Sequence, residues 1–166
     1  LGDAVHAVAT IPVTSSAVDD KNNVIFTQSY QKFRFYLDNN QVQKTIEDHL
    51  QQKMDQFFAD AATIQAQARE DCFDTEDWVP YYAKIHHTAT RVDGAVISLY
   101  TLHESYNGTA PVCSVSAVSF DAVTGDVLYL GDILDCTGSM ITPILLQQLT
   151  GVEGLYEGYE DSLREL

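Results

Sequence analysis

The sequence predicts an α+β fold: an antiparallel β-meander with one long amphipathic helix, over about residues 40–70, packed on it and a C-terminal helix. Three observations carry that prediction. Val42, Ile46, Leu50, Met54, Phe57, Phe58, Ala61 and Ile64 recur every three or four residues, the period that gathers side chains on one stripe of a helix. From Tyr81 to Phe120 apolar and polar residues alternate instead, the period of a half-buried strand. Asp93-Gly94 and Asn107-Gly108 punctuate those strands as tight turns, because both pairs tolerate positive φ.

Taken in order, Ala4 to Val13 places Val5, Ala7, Ala9, Ile11 and Val13 on one side, as a strand would. The polar stretch Ser15 to Asn23 is expected to break it. Val24 to Leu37 then puts Ile25, Phe33, Phe35 and Leu37 on one face and Val24, Phe26, Tyr30 and Tyr36 on the other, a strand or a bent strand pair. Asp38-Asn39-Asn40 is a helix start signal, since a short side-chain oxygen accepts from the orphan N–H groups of a first turn. The segment after it has no Gly or Pro up to Glu70 and spans about 40 Å as a helix. Its polar side carries Lys44, Glu47, Asp48, Gln51, Gln52 and Asp55. The adjacent Phe57 and Phe58 suit a sheet surface better than a coiled-coil heptad.

Asp71 to Trp78 is an acidic connection. Strands follow at Tyr81–Thr90, Ala95–Tyr106, Val112–Phe120 and Asp126–Leu130, joined by short turns as in a meander. Thr137 or Ser139 is the expected cap of the last helix, whose apolar side is Ile141, Ile144, Leu145 and Leu149. Gly151 interrupts it, and Val152 to Leu166 reads as a further short helix. The whole chain reads as one α+β domain, strands and long helix in 1–78, meander and C-terminal helices in 79–166.

With 24 acidic against 9 basic side chains the chain carries a formal charge of -15, which repels phosphates. Nucleic acid is therefore not an expected partner, and an anionic membrane surface is disfavoured for the same reason. No apolar run reaches the ~18–20 residues of a membrane span. The chain opens at Leu1 without a Met, so any anchor is expected upstream and outside it. Cys72, Cys113 and Cys136 form an odd count without C-x-x-C spacing, which argues against structural zinc. One disulfide with a free thiol and three buried thiols both fit that count.

The stretch Ser119 to Asp135 is rich in aspartate but does not match a calcium loop. Counting from Asp121, the sixth position is Asp126 rather than Gly and the twelfth is Asp132 rather than Glu. A turn explains Asp121, Thr124 and Gly125 more simply, through an aspartate accepting from its own turn and a glycine at positive φ, with Asp132 at the exit toward the last helix. His86 and His87 are adjacent on a strand and point to opposite faces; a composite of His86 with His103 from paired strands is a separate possibility. No phosphate loop, nucleophile elbow or zinc-protease motif occurs. Neither a catalytic set nor a cofactor or metal is expected. Tyr82, His86, Tyr100, His103 and Tyr106, on neighbouring strands, are the expected recognition residues, since aromatic clusters favour binding surfaces.

Phe120-Asp121, Thr124-Gly125, Leu128, Leu130, Asp132, Ile133 and Leu134 reproduce a pattern of Phe-Asp-x-x-Thr-Gly-x-x-Leu-x-Leu-x-Asp followed by two apolar residues. With the preceding VISLYTLHESYNGTAPVCSVSAVS, it resembles a bacterial extracytoplasmic domain family of unknown function. That family includes the ectodomain of the lysozyme-sensing anti-sigma-V factor and the accessory domain of some peptidoglycan deacetylases. Two departures stand out. The family's Gly-Gly-Ala-His turn is Asn107-Gly108-Thr109-Ala110-Pro111 here, without the histidine, and residues 150–166 do not contain the Pro-Tyr-Ala/Ser-Gly segment that usually follows the last helix in the family. The resemblance implies a non-catalytic recognition module of the bacterial envelope or a secreted protein. Its implied partner is a basic protein such as lysozyme, or peptidoglycan, and any membrane contact would run through an anchor outside this chain. A carboxylate or histidine hydrolase and a structural spacer are the alternatives.

Overall fold

A computed structural model describes residues 7–72, 78–129, 138–149 and 161. Six strands form one sheet in sequence order, β1 (Ala7–Val18), β2 (Val24–Tyr36), β3 (Tyr81–Val92), β4 (Val96–Tyr106), β5 (Val112–Asp121) and the two-residue β6 (Val127–Leu128). The long helix α1 (Asn40–Asp71) joins β2 to β3, and α2 (Gly138–Leu149) lies near the C-terminus. The α+β architecture is that of a mostly antiparallel sheet with one long helix and one short one. Contacts divide the chain into a unit of residues 1–127, which holds the first five strands and α1, and a unit of residues 128–166, which holds α2.

Local chemistry accounts for the boundaries. β1 continues past Val13 to Val18, because Ser15–Ala17 pair with Phe26–Gln28 in the ladder and the polar side chains simply stay exposed. The break comes at Asp19, whose carboxylate accepts from the Lys21 and Asn23 backbone N–H groups at 2.9 and 2.7 Å while Asn22 takes a φ of 67°. Asn39 caps α1 by accepting from the N–H groups of Gln41 and Val42. Gln43–Glu47, Gln51–Asp55 and Gln56–Asp60 then bond at four-residue spacing along its wet side. Apart from Asp161, which is helical, the expected helix within Val152–Leu166 lies outside the described residues, as does the cap at Thr137, while Ser139 lies inside α2 rather than before it.

Because α1 carries the chain back over the sheet, β3 runs parallel to β2, whereas β1–β2, β3–β4 and β4–β5 pair antiparallel. That pair is short. Only Phe26–Ser29 match Tyr81–Lys84, whereas β1–β2, β3–β4 and β4–β5 pair along nearly their whole lengths. Beyond Ser29 the two strands part, and the Gln31 side chain bridges the gap by accepting from the His87 backbone N–H at 2.7 Å.

The core lies between α1 and one face of the sheet. Its first half gathers Phe35, Leu37, Val42, Ile46 and Leu50 with Ile97, Leu99, Val118 and Phe120. The second gathers Ile25, Phe26, Met54, Phe57 and Ala61 with Tyr81, Ala83 and Ile85. Fully buried side chains such as Ile46 and Phe26 each contribute about 1.5–3 kcal/mol by leaving water. Ile25 and Phe26 are both buried, which strict alternation does not allow for.

Candidate functional site

Strand register decides which candidate residues meet. Tyr82 pairs with Tyr106, Lys84 with Glu104, His86 with Leu102 and Thr88 with Tyr100, so by register these eight share the sheet face turned away from α1, with the Tyr106 ring at the sheet's end also packing on buried Tyr81 at 5.5 Å. Across the next ladder Tyr100 pairs with Ala117, Leu102 with Val115 and Glu104 with Cys113. The Tyr82 and Tyr106 rings lie 5.9 Å apart, and the Lys84 ammonium sits 4.4 Å from the Tyr82 ring centroid. His86 stands four residues along β3 from Tyr82, about 13 Å at ~3.3 Å per residue, and Tyr100 lies beyond it. Tyr100 is 36% exposed and Val115 59%, so an aromatic and aliphatic strip faces outward in the middle of the sheet.

His103 is not on that strip. It pairs with Ile85, so its ring turns to the α1 side and stands edge-on to Phe57 at 5.7 Å. His86 and His103 therefore form no composite site. On the same inner face His87 is 4% exposed, packs at a tilt against Phe33 with ring centroids 4.6 Å apart and shares a 2.9 Å hydrogen bond between its Nδ1 and the Thr101 hydroxyl. Burial first, then His86 and Lys53, pushes the His87 imidazole down to about 4, so the ring is neutral at pH 7. Burial next to Lys53 also lowers His49 on α1. The Nε2 atoms of His87 and His103 have no hydrogen-bond partner among the described residues.

The Asp121 turn spends its carboxylate locally. Asp121 Oδ1 accepts from the N–H groups of Val123 and Thr124 at 2.7 and 2.9 Å, and the Thr124 hydroxyl accepts from the Asp126 N–H. Gly125, at φ 83°, is buried against the first turns of α1, where a Cβ would stand 3.1 Å from both Thr45 Cβ and the Val42 carbonyl oxygen. Asp132 lies outside the described residues. Asp93 performs the same service in the β3–β4 turn. The Arg91 guanidinium, then the Val96 and Ala95 N–H groups, hold its carboxyl down at about 2. At the other end of the sheet the Tyr81 hydroxyl donates to Asp71 at 2.9 Å, and burial followed by that carboxylate pushes the phenol up. Cys72 and Cys113 are free thiols. Among the described residues no group of three or more His, Cys, Asp or Glu side chains is arranged to hold a metal ion, and no helix is long and apolar enough to cross a membrane.

A second concave surface was not apparent from the sequence. A groove of about 610 Å³ runs between the later half of β2 and the flank of α1, lined by Tyr30 to Tyr36 with Ile11 on one side and Gln43, Glu47, Leu50, Gln51, Met54 and Phe58 on the other. None of His86, His103 or Asp121 lines it. The signal that points to it is the pair Lys32 and Arg34, two of only nine basic residues, interleaved with Tyr30, Phe33 and Tyr36.

No family model matches this sequence, and no curated protein resembles it closely enough to count as a relative. Solved structures do resemble the fold. A DUF3298 family member from Bacteroides fragilis superposes with a TM-score of 0.61 at 12% identity, over 98% of this chain and 74% of the other. A DUF3298 family protein from Pseudomonas aeruginosa gives 0.52 at 9% identity, over 92% and 71%. At such identities the likeness establishes a shared fold with domains of an uncharacterised family and nothing about activity.

Proposed function

We propose that this chain is a non-catalytic recognition domain of a bacterial envelope or secreted protein, acting outside the cytoplasm, whose ligand is a basic protein of the lysozyme kind or a cell-wall glycan. The observation that carries the proposal is the strip of Tyr82, His86, Tyr100, Leu102, Tyr106 and Val115 on the face of β3–β5 opposite α1, which neither α1 nor any described strand covers. Aromatic rings held on a rigid sheet provide large contact area at little entropic cost, the usual make-up of a recognition surface. A charge of -15 favours the protein ligand, since it attracts a cationic surface from beyond contact distance. The arrangement of titratable groups also supports binding over hydrolysis. His86 and His103 occupy opposite faces, His87 is sealed in the core, and Asp121 is engaged by its own turn.

Calorimetric titration with lysozyme and, separately, with soluble muropeptides tests the proposal. Lysozyme is expected to bind at about 20 mM salt and to weaken steeply by about 200 mM, as screening shortens the reach of the charges. Tyr100→Ala, at an exposed strand position, is expected to weaken binding about tenfold while leaving the circular dichroism spectrum unchanged. Muropeptide binding that ignores salt but is lost in Tyr100→Ala would assign the same strip to glycan instead. If neither ligand binds at low salt, the recognition reading fails.

A further inference from the structure

β1 stands at the end of the strand order, with β2 as its neighbour. β2 pairs along one edge of it from Ala7 to Val18, and among the described residues no strand pairs with the other edge. Such an edge presents a row of N–H and C=O groups that a further strand can take up. Edge strands are commonly blunted by charged side chains, and this one has none. Its 12 residues include no Asp, Glu, Lys or Arg, in a chain that is 20% charged.

Pro12 fixes which main-chain groups face outward. It lies opposite Gln31 in a ladder that is regular from Ala7 to Ala17, and proline has no N–H to give to β2. In an antiparallel pair, successive residues turn their N–H and C=O groups alternately toward the partner and away from it. A proline is accommodated where its nitrogen faces away from the ladder, which places Val8, Thr10, Thr14 and Ser16 in the outward set with Pro12. The 3.5 Å contact between the Thr14 and Ser29 hydroxyls agrees, because side chains come closest across pairs that exchange no main-chain bonds.

The strand also reads nearly the same in both directions about Val13. Turned end for end, Val8 meets Val18, Ala9 meets Ala17, Thr10 meets Ser16, and Val13 meets itself. We infer that β1 pairs antiparallel with β1 of a second copy, about a twofold axis at Val13, joining the two sheets into one. In this register the outward residues of the two strands face each other, so free donors and acceptors coincide. About ten main-chain bonds form, each Pro12 withholding one. The contact is self-complementary and closes at a dimer. An uncharged strand is also where two chains of -15 meet with no like charges directly opposed. Their long-range repulsion remains, so the dimer tightens as salt screens it, the reverse of a cationic ligand on the outer strip. The edge of β1 is separate from that strip, so either reading can fail alone.

Sedimentation equilibrium of the intact chain at about 20 and about 200 mM salt tests the inference. A reversible dimer with a micromolar dissociation constant is expected, at least about threefold tighter at the higher salt. Raising the protein concentration should slow amide hydrogen exchange at Val8, Thr10, Thr14 and Ser16. Ala9, Ile11 and Val13, whose N–H groups face β2, should be unaffected. Val13→Asp and Val13→Lys each set like charges against each other at the axis, and each should weaken association at least about tenfold. An equimolar mixture of the two should restore it. The exchange measurement needs no variant, so it decides the matter even where a substitution disturbs the pairing of β1 with β2. A chain that stays monomeric at about 1 mM, or exchange along β1 that ignores concentration, would overturn the inference. So would a dimer that both variants retain, or folded variants that fail to associate when mixed.

Discussion

Gly125 illustrates how much one residue fixes. Its φ of 83° is a left-handed value, and any Cβ would press on Thr45 and the Val42 carbonyl at 3.1 Å. Gly125→Ala is therefore expected to cost about 1–3 kcal/mol, read as a lower urea midpoint, since both the backbone and the helix contact must adjust. The need for a glycine in the turn was legible from Asp121-Ala122-Val123-Thr124-Gly125; its contact with α1 was not, because that pairing is tertiary. His87 is the second telling residue. Its folded value of about 4 lies below the 6.5 of the free side chain, so between those values the unfolded chain binds the proton that the folded one refuses. Its contribution is complete above pH 6.5 and is lost as pH falls toward about 4, a loss on the order of 2 kcal/mol. Urea midpoints measured across that range should fall for the parent and fall less for His87→Asn. Equal slopes would contradict the burial argument. Strand alternation separated His86 from His87, but it could not say on which side of the neighbouring strand His103 would stand, because register sets that parity.

At the scale of elements, α1 was the most legible part. Its apolar stripe buries Val42, Ile46, Leu50, Met54, Phe57 and Ala61 and leaves Phe58 and Ile64 partly covered. Its start depends on Asn39, whose side chain satisfies two N–H groups of the first turn. Asn39→Ala is expected to lower stability by about 1 kcal/mol, whereas Asn39→Asp should retain most of it; thermal melts of the two variants decide the matter. The strands from β3 to β5 were also legible, since tight turns fix their antiparallel neighbours. β2 was not. Thirteen alternating residues give no indication that only four pair with β3. The parting of β2 from β3 depends on where a helix 32 residues long returns the chain, and that depends on packing rather than on local pattern. For the same reason the groove and its Lys32 and Arg34 were absent from the expected site, while Tyr82 and Tyr106, set opposite each other by a turn of a few residues, were within it.

For the whole molecule, the fold is shared with DUF3298 domains while no common activity follows from it. The chain's charge bears on what it could bind. The chain carries a formal charge of -15 over 166 residues, an aromatic strip lies on one face of the sheet, and a groove that includes Lys32 and Arg34 lies beside the helix. Salt should therefore weaken the binding of a cationic partner drawn by that net charge. The most direct test of the central claim is the titration of lysozyme into the intact chain at low and physiological salt, with Tyr100→Ala alongside. Saturable binding that weakens with salt and falls about tenfold in Tyr100→Ala is the predicted result. Binding that is absent at low salt, or that persists unchanged in Tyr100→Ala, would contradict the assignment of recognition to the outer face of the sheet.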